Sequence, residues 1–395
     1  MRIGMALPNL PYPPDIRVDK EAEALIAAGH EIVLLCRGDG TQPAEENRSG
    51  FTIVRHRVHP VRPWARRLDS ALFHATMSSP SWRDAMVSLV AEHGAEALHL
   101  HDLPYAPSLL SAARATGVPA VLDLHENYPA AIAQWGRRRS SKLFFSPARA
   151  ARLERDVVRR VDRVVVVVDE ARDRIVALGA DAEKVRVFGN TEPLRLVPDE
   201  PLPLDHSDGP RIVYVGGLGP HRGLDTVLDA MPAILTADGR AHLVVVGDGE
   251  VLAALKDQAA ALGLNDHVTF TGRLPLTDAM DRIRDANVAL VPHHRSPHTD
   301  STIPHKLFQY MALGRPVVVS DCAPLARIVR ATGAGTVFTA GDPDDLARRV
   351  MEAAEPQAAR AMAEAGRRAV LERWNLEAEA PSLVGLYDSL GRGDR

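Results

Sequence analysis

The segment Val161–Ile175 reads VDRVVVVVDEARDRI. Val164–Val168 is apolar without alternation, as in a strand covered on both faces of a parallel sheet. A helical pattern, Glu170–Leu178, follows directly. The same unit recurs outward. Strands are expected at Arg2–Ala6, Glu31–Cys36, Ala97–His101, Ala120–Leu124 and Lys184–Val187, with helices such as Arg17–Ala28 and Ser81–His93 between them. This alternation predicts a doubly wound α/β domain.

The pattern breaks at Leu196–Pro210, LVPDEPLPLDHSDGP, which is rich in Pro and Asp and reads as a linker. It then restarts, with strands at Arg211–Val215, Leu243–Val246, Val268–Thr271, Val288–Val291, Pro316–Val319 and Thr336–Phe338. Helices are expected at Gly223–Ile234, Glu250–Leu262, Pro304–Leu313 and Asp344–Glu355. The expected organisation is two Rossmann-like domains, residues 1–198 and 205–375, with a C-terminal helix over 376–395 packing back on the first.

The 395 residues carry a net charge of −4, too even a balance to attract nucleic acid. Cys36 and Cys322 lie in separate halves, so neither a disulfide framework nor a zinc site is expected. The N-terminus MRIGMALPNL reads as a first strand, not a signal peptide. No window approaches the roughly 18–20 apolar residues of a membrane span. A cytoplasmic location is expected.

Two segments carry candidate chemistry. Ser301–Asp321, STIPHKLFQYMALGRPVVVSD, places Pro304 at a helix start and Gly314 at its end. The free N–H groups of such a start suit a phosphate. Lys306 in the first turn opposes the helix dipole unless an anion binds there; the other reading is a solvated lysine. Tyr214–Gly223, YVGGLGPHRG, runs a strand into a glycine-rich turn with Gly216, Gly217 and Arg222. Such a turn lets backbone N–H groups approach a diphosphate. Gly247–Gly249 either lines the same pocket or only turns the chain. None of these spacings is the dinucleotide fingerprint, which disfavours a nicotinamide enzyme. Asp342–Asp345, DPDD, reads as a helix cap and not a metal site.

These two segments resemble the C-terminal half of GT-B glycosyltransferases of the family 4 type. Pro13–Cys36, Leu98–Ala106, Val121–Pro129 and Val161–Ile175 resemble the N-terminal half, so nearly the whole chain is covered. The resemblance implies two Rossmann-like domains facing across a cleft. It implies a donor site formed by Gly216, Gly217, Arg222, Gly247, Asp300, Ser301, Thr302, Ile303, Lys306 and Gln309. His125 matches the family's histidine beside the donor sugar, and His101, Asp102 and Glu126 fall on the acceptor side. The family often has two Glu eight positions apart, where this chain has Ser301 and Gln309. It also tends to have Arg and Lys at the positions of Gly217 and Arg222. Asp300 and Lys306 are the candidate replacements.

The implied reaction is retaining transfer from a UDP- or GDP-linked sugar to a glycan, lipid-linked or small-molecule acceptor, with His125, Arg222 and Lys306 as catalytic groups. No cofactor and no metal are expected. A sugar-nucleotide 2-epimerase and a weakly active sugar-nucleotide-binding subunit are the alternatives. Trp135–Arg163 is locally basic with interleaved aromatics, so peripheral membrane contact is a further expectation; the other readings are an acceptor-binding loop and a solvated helix face.

Overall fold

The computed structural model describes residues 1–13, 15–57, 63–135 and 146–391. Contacts divide them into two units, Met1–Gly189 with the chain from Glu379 onward, and Asn190–Ala378.

The first unit holds strands β1 (Arg2–Pro11), β2 (Glu31–Arg37), β3 (Glu45–Arg48), β4 (Phe51–His56), β5 (Ala97–His101), β6 (Ala120–Leu124), β7 (Arg163–Val166) and β8 (Val185–Val187). Their order is β3-β4-β2-β1-β5-β6-β7-β8. All pairings are parallel except β3–β4. Neither strand of this hairpin is in the sequence reading: β3, EENR, has no apolar residue, whereas the alternation in β4, FTIVRH, was passed over. Its turn is Ser49-Gly50, both at positive φ, the geometry that matches strand twist in a two-residue hairpin. The charged edge strand discourages pairing with another chain. The valine run enters the sheet only as far as Val166.

The second unit holds β9 (Arg211–Val215), β10 (His242–Val246), β11 (Val268–Gly272), β12 (Val288–Val291), β13 (Val317–Ser320) and β14 (Gly335–Phe338). All pairings are parallel, in the order β11-β10-β9-β12-β13-β14. This is the Rossmann order, which reverses direction between β9 and β12. The core packs Ile212, Tyr214, Leu243, Val245 and Leu290 against Val227, Leu228 and Met231 of the helix Leu224–Ala237 and Leu346 and Val350 of the helix Pro343–Ala354.

The Pro-rich stretch read as a linker belongs to the second unit. Arg315, 1% exposed, donates to the carbonyls of Leu202, Pro203, Arg284 and Ala286. Arg367 donates to those of Pro198 and Asp199. These bonds satisfy carbonyls that proline neighbours cannot bond within a sheet, so the chain divides upstream at Gly189. The last helix, Leu376–Gly391, sends its C-terminal part to the first unit. There Ser382 donates to the Val187 carbonyl and Tyr387 meets His99. No helix among the described residues is long and apolar enough to cross a membrane.

Candidate functional site

In open α/β sheets ligands gather outside the carboxyl ends of strands, where strand order reverses. In the second unit those ends are Gly216 after β9 and Pro292-His293 after β12. The turn after β9 is built on close backbone approach. Gly216 and Gly247 have φ of 139° and 143°. A Cβ on Gly247 would lie 1.9 Å from the Gly216 carbonyl oxygen, and one on Gly223 would lie 1.8 Å from that of Pro292. A Cβ on Gly216 would meet the Lys306 ammonium at 2.6 Å, so this glycine makes room for the lysine. A Cβ on Gly217 would meet nothing within 4 Å, leaving open space beside the turn.

Lys306 comes from the first turn of the helix His305–Ala312, N-capped by Pro304. It is 8% exposed, and its Nζ stands 3.6 Å from the centroid of the Tyr214 ring. Nζ has no hydrogen-bond partner among the described residues. Burial, then the neighbouring Arg222, push its pKa well below that of an ordinary lysine. Tyr214 and Tyr310 frame the turn. The Tyr214 hydroxyl donates to the Gly217 carbonyl at 2.8 Å, and the Val215 N–H donates to the Tyr310 hydroxyl at 2.9 Å.

Arg222 Nη1 lies 3.0 Å from His293 Nε2, which accepts as the neutral imidazole. Burial, with Arg222 and Lys306, holds the His293 pKa well below the usual value. His221 and His298 complete the cluster, their rings 5.6 Å apart. Burial and Arg222 depress both, His221 to about 3 and His298 to about 4.

The remaining donor-side candidates are tied into the scaffold. The Ser301 hydroxyl donates to the Pro297 carbonyl at 2.7 Å. Asp300 accepts from Arg295 Nε at 3.1 Å and from the Ala323 N–H at 2.9 Å, at the start of the helix Ala323–Thr332. The Ile303 carbonyl accepts from Asn190 Nδ2 at 2.7 Å, and Thr302 is half-buried beside it. Gln309 Nε2 donates to Glu192 Oε1 at 3.1 Å. The segment Asn190–Glu192, which sequence reading passed over, therefore lies along the helix that carries Lys306.

In the first unit the strand ends after β5 and β6 carry His101, Asp102, His125 and Glu126. Asp123 is their centre and is fully buried. Arg17 holds it with two bonds, Nε to Oδ2 at 2.7 Å and Nη2 to Oδ1 at 2.7 Å. Arg17 is placed by the helix Ile16–Ala27, whose N-cap Asp15 accepts from the Arg17 and Val18 N–H groups. His125 Nε2 lies 2.6 Å and His101 Nδ1 3.2 Å from Asp123 Oδ2. Burial opposes the Asp123 carboxylate, but Arg17 and His125 outweigh it and hold its pKa well below the usual range. Burial also opposes a charged His125. The carboxylates of Asp102 and Asp123 nevertheless raise its pKa to about 10, so this imidazole is a cation and a donor at neutral pH.

Asp102 sits at φ 68° and Tyr105 at φ 72°, left-handed conformations costing about 1–3 kcal/mol each that cluster at functional sites. Glu126 is half-buried on the same turn. Behind Asp123 lie Glu21, His99 and His101. With Asp123 these offer ligand atoms within 4.8 Å of one another, a spacing compatible with a metal ion. The cation position is filled differently: Arg17 Nε is 3.0 Å from Glu21 Oε1 as well as 2.7 Å from Asp123. A metal there would have to displace the guanidinium.

Two family models match. Residues 15–191 match the glycosyl transferase 4-like domain and residues 203–369 match glycosyl transferases group 1. The chain is a GT-B glycosyltransferase of the family 4 type. It is 24% identical to the phosphatidyl-myo-inositol mannosyltransferase of Mycobacterium leprae, over 99% of this chain and 97% of that one. It is 26% identical to the alpha-D-kanosaminyltransferase of Streptomyces kanamyceticus, over 72% and 74%. Sucrose-phosphate synthase from Thermosynechococcus elongatus shares the fold with a TM-score of 0.79 at 21% identity, covering both chains fully. Anabaena HepE, solved with UDP-glucose, superposes with a TM-score of 0.73 at 16% identity, covering 98% of this chain and all of that one.

The glycosyltransferase thus brings Gly216, Gly217, Arg222, Gly247 and Lys306 together in one unit and His101, Asp102, His125 and Glu126 in the other. Sequence reasoning missed Arg17, His221, His293 and His298. The signal for the last two was present in PHHRSPH, Pro292–His298, directly after a strand.

Proposed function

We propose that the protein transfers a sugar, with retention and without a metal, from a UDP- or GDP-linked donor to a glycan, lipid-linked or small-molecule acceptor in the cytoplasm. One observation carries this reading: the buried Lys306 amine, with no hydrogen-bond partner among the described residues, beside Arg222 at the glycine turn of a Rossmann switch point. A diphosphate supplies negative charge that favours the protonated, donating form of Lys306. As the anomeric C–O bond breaks, its electron pair passes to the β-phosphate, and Lys306, Arg222 and backbone N–H groups stabilise that charge. The acceptor oxygen bonds to the anomeric carbon from the face the diphosphate leaves, while its proton moves to the departing diphosphate, which preserves configuration. His125, already protonated, serves as a hydrogen-bond donor to sugar oxygens and not as a general base.

The test is a thermal-shift screen of UDP, GDP, ADP and dTDP, followed by turnover of the matching nucleotide sugar with and without EDTA. A nucleotide at 100 times its Kd stabilises the native state by about 2.7 kcal/mol. One nucleotide should protect, and turnover should survive EDTA. Protection by none defeats the donor reading; loss of turnover in EDTA defeats metal independence. Consumption of donor without acceptor, yielding an epimer, would favour the isomerase.

Peripheral membrane contact belongs to the same proposal. The basic residues Arg137, Arg138, Arg139 and Lys142, with Leu143, Phe144 and Phe145, lie outside the described residues. Two described helices support contact with an anionic bilayer. Pro63–Thr76 exposes Trp64, Leu68 and Leu72, a stripe at four-residue spacing, with Arg66 and Arg67 also exposed. Pro147–Arg160 exposes Arg152 and Arg155, and its Arg149 donates to the His74 carbonyl of the first helix. Vesicles containing anionic phospholipid should sediment the protein at low salt and release it at high salt. Trp64→Ala with Leu68→Ala should reduce the bound fraction. Absence of co-sedimentation at low salt rules the contact out.

A further inference from the structure

We propose that Tyr105 is an acceptor-binding residue: its hydroxyl donates to a hydroxyl of a polyhydroxylated ring, a sugar or a cyclitol, on the loop that also carries Asp102. The proposal rests on the glycosyl-transfer reading and names the acceptor class for its first unit.

Local structure gives no reason for a tyrosine here. Residues 102–105 join β5 to the helix Ala106–Thr116. Tyr105 takes φ 72°, where a side chain crowds the backbone and glycine or asparagine is the ordinary choice. It is also the N-cap of that helix and makes no side-chain capping bond, where Ser, Thr, Asp or Asn would accept from a free N–H. Of the four non-glycine residues at positive φ among the described residues, two, Asp102 and Tyr105, share this loop. A residue that fails both local requirements is retained for its side chain, as at functional positions.

That side chain is fixed at one end and unused at the other. Its ring stacks on Phe73 of the helix Pro63–Thr76, with centroids 4.2 Å apart and planes at 20°, and meets the buried Trp82 at 5.8 Å. Phenylalanine would satisfy this packing equally. Tyr105 is half-buried, and its hydroxyl has no hydrogen-bond partner among the described residues. A tyrosine hydroxyl drawn out of water ordinarily finds one. Asp69 is not that partner, since it accepts from the Ser79 hydroxyl and the Ser81 N–H. Burial, then Asp69, push the Tyr105 pKa up to about 12, so the group stays a neutral donor. The next strand end adds Tyr128, whose phenol is raised by burial, then by Asp102, Glu126 and Tyr105, so all three lie within electrostatic reach of it. This set selects an acceptor. A carbohydrate hydroxyl accepts from a phenol and donates to a carboxylate such as Asp102, which is 26% exposed and accepts only. A thiol accepts weakly and an ammonium not at all. Neighbouring hydroxyls on one ring use both groups together, which a lone alcohol does not.

The experiment is saturation-transfer NMR of the full chain, with UDP or GDP present, titrated with methyl α-D-mannopyranoside, methyl α-D-glucopyranoside, myo-inositol and, as a control, cyclohexanol. At least one polyol should bind and cyclohexanol should not; a glycoside would mark a sugar acceptor and myo-inositol a cyclitol. Tyr105→Phe keeps the ring on Phe73 and should melt as the parent does. It should weaken polyol binding about 3–10-fold, the loss of one neutral hydrogen bond, and leave nucleotide affinity unchanged. Equal polyol binding by parent and variant overturns the role of the hydroxyl. A clearly lower melting transition of Tyr105→Phe would reveal an internal partner for the hydroxyl and overturn it as well. Absence of polyol binding, or equal binding of cyclohexanol, overturns the acceptor class. In each case the donor reading stands if UDP or GDP still binds. Absence of binding by both nucleotides overturns the donor reading, and the proposal with it.

Discussion

Lys306→Met is expected to lower kcat/KM by about 10²–10³-fold, the loss of about 2.7–4 kcal/mol that follows removal of one preorganised donor to a developing oxyanion. The same substitution should leave the empty protein as stable as the parent or more so. These opposite effects share one cause. Lys306 is 8% exposed and its amine has no hydrogen-bond partner among the described residues, so the empty fold bears a desolvated base that an anionic ligand would satisfy. Methionine keeps the apolar stem against Tyr214 and removes the polar end. Because burial and Arg222 depress the lysine's pKa, the unfolded chain binds its proton more tightly than the folded one. Stability of the parent therefore rises with pH up to the unfolded value, about 10.4. The advantage of Lys306→Met should be greatest at low pH and shrink above that value to what a buried neutral amine costs. Melting curves across pH, together with initial rates, separate the two effects. A variant that loses stability and activity in parallel would mark Lys306 as a structural residue.

The alternation of strands and helices was legible because parallel strands buried on both faces leave uninterrupted valine runs, as in Val164–Val168. Strand ends at His101, Leu124, Val215 and Val291 match the expectation because a glycine or a polar residue follows each of them closely. The edge strand was not legible: EENR carries no apolar period, and its pairing depends on the neighbouring β4, whose alternation FTIVRH was legible and passed over. The glycine turn was legible from its glycines, because a Cβ at Gly223 or Gly247 would fall 1.8–1.9 Å from a neighbouring carbonyl oxygen. Its histidines were not, because an isolated histidine carries no period and His221 and His298 lie 77 positions apart (298 − 221). For the same reason Arg17 was invisible as the partner of Asp123, a contact 106 residues long in sequence. The roles suggested for Asp300 and Ser301 came from a motif position, whereas their atoms bond Arg295, the Ala323 N–H and the Pro297 carbonyl.

Asp123→Asn is expected to destabilise the first unit by about 3–5 kcal/mol, the usual effect of removing one partner from a buried ion pair. Asparagine matches the carboxylate in shape, so packing is not the cause. The amide presents N–H groups to the donors of Arg17, leaves the guanidinium without its two-bond acceptor and strips His125 of one of its two carboxylates. For a unit of roughly 200 residues the melting transition should fall by about 6–20 °C. The pH profile distinguishes this network from ordinary packing. Asp123 has a depressed pKa, so its contribution is present above the unfolded value of about 3.9 and is lost as pH falls through the folded value. His125 is raised to about 10, so its contribution is complete below its unfolded value, about 6.5, and is lost as pH rises toward about 10. The difference between parent and Asp123→Asn should therefore peak between about pH 4 and 6.5 and shrink on both sides. The apparent pKa of His125, followed by NMR, should fall in the variant yet stay above the ordinary histidine value, since Asp102 remains 3.8 Å from its Nδ1. A flat pH difference, or an unchanged His125 titration, would mean that Arg17 and Asp123 hold the fold without setting the charge of the imidazole. The protonated His125 would then need another source.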